Sequence, residues 1–328
     1  VVRIWDCGGE QPELRATVQD DGGWDISVLV WHPDEPLLLI SNLGTLTTWT
    51  PGRATVSERL PSQIYYQALG FSADRRRVWA SPPAPGRQGS DVIDLSRGIV
   101  GTGPDFDTGI TEHPAGGLVA MLASDQGGTD VLFARTAGDA PEITGRTLTL
   151  DADGYEPVLF SPDGRLLVVK GDSYANELNV FEFPSLRRIH HLGLEDRPPE
   201  EWDPEDGEDI FGHSLGNIAF DRRSGLLWLV SPAGRLLSLD LDRRAAREHE
   251  LPGLFPVTAL AALADGRLVV AGAGELRILL PPGDPADLTP SPERVEAFLR
   301  DEPGEPCDGG EDAPADPLWA RLAAGPGR

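Results

Sequence analysis

Short apolar runs separated by turn-forming residues recur along most of the chain. The clearest instance is Val158-Leu-Phe-Ser-Pro-Asp-Gly-Arg-Leu-Leu-Val-Val169, where one run meets Ser161-Pro162-Asp163-Gly164 and a second follows at once. Pro162 sets φ at a turn position, Asp163 can bond its own backbone, and Gly164 accepts a positive φ, so the segment reads as strand, tight turn, strand. Related stretches are Val30-Trp31-His32-Pro33-Asp34, Gly70-Phe71-Ser72-Ala73-Asp74, Thr111-Glu112-His113-Pro114-Ala115, Ala219-Phe220-Asp221-Arg222-Arg223 and Ala262-Leu263-Ala264-Asp265. Taken with Asp163, their last residues lie 40, 41, 48, 60 and 42 positions apart. Each turn is followed by an apolar run (Leu37–Ile40, Val78–Ala80, Leu118–Leu122, Leu166–Val169, Leu226–Val230, Leu268–Ala271), and most copies add a third, such as Leu46–Thr50, Leu178–Phe183 and Leu236–Leu241. The runs are too short for helices and carry β-branched residues. Only Ser291–Arg300 reads as helical: Pro292 stands just inside a start, and Val295, Phe298 and Leu299 share a face.

Short strands at this spacing, punctuated by Gly, Pro and Asp, are the mark of radial all-β repeats. The expected architecture is an all-β β-propeller of four-stranded antiparallel blades over residues 1–282. An acidic, Pro- and Gly-rich tail at 283–328 follows, disordered for most of its length with a short helix at 291–300. Val1–Asp6 reads as the third strand of a further blade, whose first two strands would come from sequence ahead of Val1. Seven blades in the complete protein is therefore the expectation. Second to it stands a six-bladed ring closed by Glu13–Val18 beside Glu275–Leu280, and either closure removes exposed sheet edges.

The pattern resembles the WD-repeat family. The resemblance lies in Ser161-Pro-Asp-Gly-Arg165, in Val1-Val-Arg-Ile-Trp-Asp6, and in Gly212-His213-Ser214 ahead of Asn217–Phe220, and it covers roughly residues 1 to 282. In that family a Gly-His pair opens a repeat and Trp-Asp closes it. Here Trp5-Asp6 is the one Trp-Asp at a repeat end and Gly212-His213 the one Gly-His. The resemblance implies a divergent propeller that offers its faces to other proteins.

Charge narrows the partners. The formal net charge is −25. Affinity for nucleic acid comes largely from Lys and Arg neutralising phosphates, and Arg75-Arg76-Arg77 and Arg243-Arg244 are short turn clusters, so direct nucleic-acid binding is not expected. The same charge opposes docking on anionic membranes, and no apolar stretch is long enough to cross one. Two cysteines, Cys7 and Cys307, make no disulfide framework. A cytoplasmic protein is expected, a monomer or a module of a larger chain. The excess of Gly, Pro, Ala and Arg over Lys points to a high-GC bacterial coding background.

The repeat is interrupted most strongly between its fourth and fifth copies. There Leu194–Asp209 holds Glu195, Asp196, Glu200, Glu201, Asp203, Glu205, Asp206, Glu208 and Asp209 against Arg197 alone. Loops on a rigid scaffold tolerate insertions and often carry function. The insertion reads as a solvated excursion, as a docking loop for a basic protein partner, or as a weak divalent-metal loop. Asp203–Asp209 lacks the alternating oxygens and central Gly of an EF-hand. For the docking reading, the candidate partner-binding residues are Trp202, Glu200, Glu201, Asp203, Glu205, Asp206, Glu208 and Asp209, with Trp202 either tucked against a blade or exposed as the anchor.

Catalytic and cofactor motifs do not stand out: there is no Gly-x-Ser-x-Gly elbow, phosphate-cradling Gly loop or His-Glu-x-x-His. No cofactor, metal ligand or catalytic residue is assigned. His32 and His113 occupy equivalent strand-to-turn junctions, where Ser72, Ser161 and Asp221 stand in other copies, and read as turn-bonding residues. His190-His191 falls in an outer strand, with one side chain facing each way. Trp31, Trp49, Trp79 and Trp228 read as core. The functional expectation is a non-catalytic protein-interaction scaffold. The alternative is a propeller hydrolase or lactonase-type enzyme in a calcium-dependent form, with carboxylates such as Glu112 and Glu156 reaching the channel.

Overall fold

The computed structural model describes residues 2–18, 26–42, 45–52, 58–59, 66–72, 74–81, 89–104, 106, 108–125, 128–137, 141–150, 155–171, 177–193, 218–231, 234–300, 307–308 and 316–317. The chain opens with a two-stranded antiparallel sheet, β1 (Val2–Asp6) and β2 (Glu13–Val18). Five blades then follow in chain order, each an antiparallel meander of four strands. They are β3–β6 (Ile26–Trp31, Leu38–Asn42, Thr45–Trp49, Glu58–Arg59) and β7–β10 (Ala68–Phe71, Arg77–Ser81, Asp91–Asp94, Gly98–Thr102). After them come β11–β14 (Thr108–Glu112, Leu118–Asp125, Gly128–Arg135, Glu142–Leu150), β15–β18 (Tyr155–Phe160, Leu166–Gly171, Glu177–Glu182, Arg187–Gly193) and β19–β22 (Ile218–Phe220, Leu227–Val230, Leu236–Asp240, Ala245–His249). The sixth blade has three strands, β23–β25 (Val257–Ala262, Leu268–Gly272, Glu275–Leu279). The fold is thus an all-β propeller of antiparallel blades. Its one helix among the described residues is α1 (Pro292–Arg300), and β26 (Cys307–Asp308) and β27 (Asp316–Pro317) add in parallel to the outer edges of β14 and β18.

The turns form as their residues dictate. In the fourth blade Ser161 Oγ donates to Asp163 and accepts from the Leu166 amide at 2.9 Å, while Asp163 also accepts from the Arg165 amide at 3.1 Å. Asp74 and Ser72 repeat this arrangement in the second blade. In the fifth, Asp221 accepts from the Arg223 and Ser224 amides at 2.9 and 2.6 Å and from Trp228 Nε1 at 3.1 Å. Gly164 has φ of 68°, the left-handed conformation its turn needs.

The core lies in seams between blades rather than at one centre. Leu118, Ala120, Leu122 and Phe133 of the third blade meet Val158, Phe160, Leu167 and Val169 of the fourth. Leu166, Val168, Leu178 and Val180 on the opposite face of the fourth meet Ile218, Phe220, Leu227 and Leu229 of the fifth. All six positions of β16 are buried, because a second strand is covered by a blade on either side.

The β1–β2 sheet takes its place in the same ring. Val2, Ile4 and Val18 pack on Leu38, Ile40 and Trp49 of the first blade. On the other side Arg267, in the first turn of the sixth blade, donates to the carbonyls of Cys7, Gly8 and Gly9 in the β1–β2 turn. Arg165, in the first turn of the fourth blade, reaches Asp242 in the outer turn of the fifth at 3.0 Å in the same way. The β1–β2 sheet therefore lies between the sixth blade and the first. Among the described residues Glu13–Val18 pairs with β1, and β25 has no strand paired at its outer edge.

One expectation about the core needs correction. Trp49, Trp79 and Trp228 are buried, but Trp31 is 48% exposed. Its side chain faces the seam toward β1–β2, where no inner strand among the described residues covers it.

Candidate functional site

Strand alternation gives the propeller two faces. One carries the turns joining first to second and third to fourth strands. The other carries the connections joining second to third strands and each blade to the next. The two faces are built differently.

On the turn face, polar groups bind the blades to one another. His32 Nδ1 accepts from the Asp34 and Glu35 amides at 3.2 and 3.0 Å, so Nε2 carries the proton and donates to the Arg75 carbonyl of the second blade at 2.9 Å. His113 does the same one pair of blades on: Nδ1 accepts from Ala115, and Nε2 donates to the Gly164 carbonyl of the fourth blade at 3.1 Å. Burial is the main cause that holds the His113 pKa below the ordinary histidine value. A second proton on the ring would also oppose the Ala115 N–H. Glu112, which the sequence offered to the channel, instead accepts from Arg75 at 2.6 Å across the second and third blades. The side chain of Glu156 lies outside the described residues. Burial works to raise the Asp163 pKa, but bonds from Ser161 and Arg165 outweigh it, and the carboxyl sits below its usual range.

The same face is covered at one seam by α1. Val295 and Phe298 of the helix are buried in the apolar core of the third and fourth blades. The Phe298 ring stacks on Phe183 with centroids 5.0 Å apart, lies 4.8 Å from Phe133, and receives the Arg146 guanidinium at 4.4 Å. Ser291 precedes the helix and donates to Glu293 at 2.6 Å; that bond holds the Glu293 carboxyl below its usual range.

The other face receives the longest connection, the one leaving β18 at Gly193 and returning in β19 at Ile218. All eight sequence-predicted partner-binding residues (Glu200, Glu201, Trp202, Asp203, Glu205, Asp206, Glu208 and Asp209) belong to it and lie outside the described residues, as does His213. What the structure places is the root. There His191 Nε2 is 2.6 Å from Glu177 Oε2, and Asn179 Nδ2 donates to Glu177 Oε1 at 2.8 Å. His190 points the other way and bonds the Leu241 carbonyl of the fifth blade at 2.9 Å. The two histidines thus serve different partners, as alternation in a strand requires. Sequence reasoning had not paired His191 with Glu177; their cross-strand proximity follows from the register Asn179↔His191. Among the described residues no group of three or more His, Cys, Asp or Glu converges on a metal position. No helix among them is long and apolar enough to cross a membrane.

No family model and no curated protein matches the chain. Solved structures do match in fold. A chain of "Crystal Structure of Mitotic Checkpoint Complex" is similar with TM-score 0.60 and 14% identity, over 86% of this chain and 84% of that one. "Structure of Dos1 propeller" gives 0.59 and 13%, over 88% and 75%. "Kuenenia stuttgartiensis Hydrazine Synthase" gives 0.59 and 14%, over 79% and 84%. At these identities the likeness concerns the fold alone, a β-propeller.

Proposed function

We propose that this propeller is a non-catalytic protein-interaction scaffold, and that the acidic connection between its fourth and fifth blades receives a basic surface of a protein partner. The observation that carries the reading is the division of labour between the faces. Turn-face polar groups such as His32, His113, Arg75 and Glu112 are engaged between blades, and α1 covers one seam there. Nine carboxylates with a single Arg sit in the connection rooted on the opposite face. A field of one sign steers an oppositely charged partner and fixes its orientation, and Trp202 is the residue in that stretch suited to anchor it. Two further facts support the reading: one fold neighbour bears the name of a protein complex, and the fold is WD-repeat-like.

The test is affinity capture from the native cell extract with the complete protein as bait, against the same protein lacking 194–209. A protein recovered with the intact bait, lost with the deletion, and rebinding as a purified component supports the proposal. Equal recovery on both baits removes the acidic connection from the binding surface.

A further inference from the structure

The helix α1 reaches its seat by crossing the turn face on the outside. The chain leaves the sixth blade at Leu279, and residues 282–287 are all exposed. The Ala286 amide donates to the Arg223 carbonyl in the first turn of the fifth blade at 2.8 Å, and Leu288 lies against Gly225 of the same turn. The segment from 280 to 291 contributes to no strand. Beyond α1, two residues at a time add to the outer edges of β14 and β18, the last strands of the two blades that the helix covers. The cover is thus laid on finished blades, and lifting it breaks no four-stranded meander.

The seat under the helix is built by the blades themselves. The Phe183 amide donates to the Arg165 carbonyl at 2.8 Å, and its ring lies 5.4 Å from Phe160 and 5.0 Å from His113. Phe183 directly follows the third strand of its blade; after β9, β13 and β21 that place holds Leu95, Thr136 and Leu241. An aromatic floor therefore sets this seam apart from those. Two guanidinium groups stand at its rim. Arg146 lies over the Phe298 ring, and Arg135 donates to the Leu299 carbonyl at 3.3 Å, at the helix end that gathers partial negative charge. From α1 the seat takes Val295, Phe298 and Leu299, a stripe at i, i+3 and i+4, while Glu293, Glu296 and Arg300 stay exposed. That is the pattern by which a groove reads an amphipathic helix.

We propose that the seam between the third and fourth blades is a docking groove for an amphipathic helix of a protein partner, and that α1 is its intramolecular competitor. The partner helix carries an aromatic anchor, an apolar residue three positions before it and another one position after, and ends over Arg135. A competitor in the same chain lowers a partner's apparent affinity by the fraction of molecules in which the groove is open. Nine residues make a weak competitor, because a helix of that length has no stability of its own. The rigid floor costs the partner little, since Phe133, Phe160 and Phe183 are already ordered by their strands. A net charge of −25 disfavours a second copy as the source of the helix. The groove lies on the turn face, and the inference stands independently of the acidic connection.

The test uses the full chain and a fluorescent synthetic peptide of residues 288–302, with binding read by anisotropy. Phe298→Ala in the protein removes the competitor's anchor. The peptide should bind this variant roughly tenfold or more tightly than it binds the unmodified protein. A peptide that itself carries Phe298→Ala should bind neither. A third peptide, with Glu293, Arg294, Glu296 and Arg300 all changed to Gln, should bind the variant within roughly threefold of the first, because the groove reads the apolar stripe. Hydrogen exchange on the unmodified protein gives a readout free of any substitution: α1 amides should exchange roughly tenfold or more faster than those of β13 and β16, through an opening that leaves the blades intact. Exchange of α1 only together with the blades would overturn the proposal, as would equal or absent peptide binding by the two proteins. Loss of binding by the Gln peptide would confine the seat to its own tail and overturn it too. A dimer of the unmodified protein that Phe298→Ala dissolves, measured by light scattering, would give the groove to a second copy and do the same.

Discussion

Two histidines that look chemically available are spent on geometry. In His32 and His113 one ring nitrogen closes the local turn and the other reaches the next blade's carbonyl, so each imidazole is a cross-brace between blades. The His113 pKa lies below the ordinary value near 6.5. As pH falls below that value the unfolded chain takes up protons before the fold does, so stability present above it is lost progressively until the folded pKa is reached. The urea midpoint should fall between pH 7 and pH 5, and His113→Gln should lack the share of that fall carried by this residue; parallel pH slopes for the two proteins would refute it. Gly164 makes a complementary case. Its φ is 68°, and a Cβ there would overlap the His113 imidazole. Gly164→Ala should cost about 1–3 kcal/mol by combining strain with displacement of the brace, measured by equilibrium urea unfolding.

At the scale of elements, α1 shows how a short helix holds its place. Nine residues are too few for stability in isolation, so its order comes from docking. Phe298, 1% exposed between Phe183, Phe133 and the Arg146 guanidinium, is the main anchor. Phe298→Ala should cost about 3 kcal/mol, in the usual range for a buried phenylalanine. Proteolysis should then cut between β25 and α1 before the blades open. Global unfolding without such early cleavage would mean that the helix and the third–fourth seam form one cooperative unit.

At the scale of the molecule, blades are joined by apolar seams and by bonds across their turns, and the charge is unevenly placed. If the 194–209 carboxylates attract a basic partner, changing Glu200, Glu201, Asp203, Glu205, Asp206, Glu208 and Asp209 to their amides should lower affinity by about tenfold or more at low salt. The difference should shrink once the screening length falls to about 3 Å near 1 M salt. Titration calorimetry or surface binding at two salt concentrations reads both. Trp202→Ala should weaken binding at either concentration, since apolar contact is not screened.

Strand, turn and helix were legible in the sequence because their causes are local. Ser161-Pro162-Asp163-Gly164 specifies its own turn, the apolar runs specify their period, and Pro292 with Val295 and Phe298 specifies α1. The insertion between β18 and β19 was legible as excess length and charge, but its own geometry lies outside the described residues. Pairings between blades were decided only by the tertiary structure: Glu112 with Arg75 rather than with the channel, His113 with Gly164, and His191 with Glu177. Trp31 and Phe71 hold the same place in the same local pattern, and one is exposed while the other is buried. No local rule separates them, because burial in a ring of blades belongs to the neighbour across the seam.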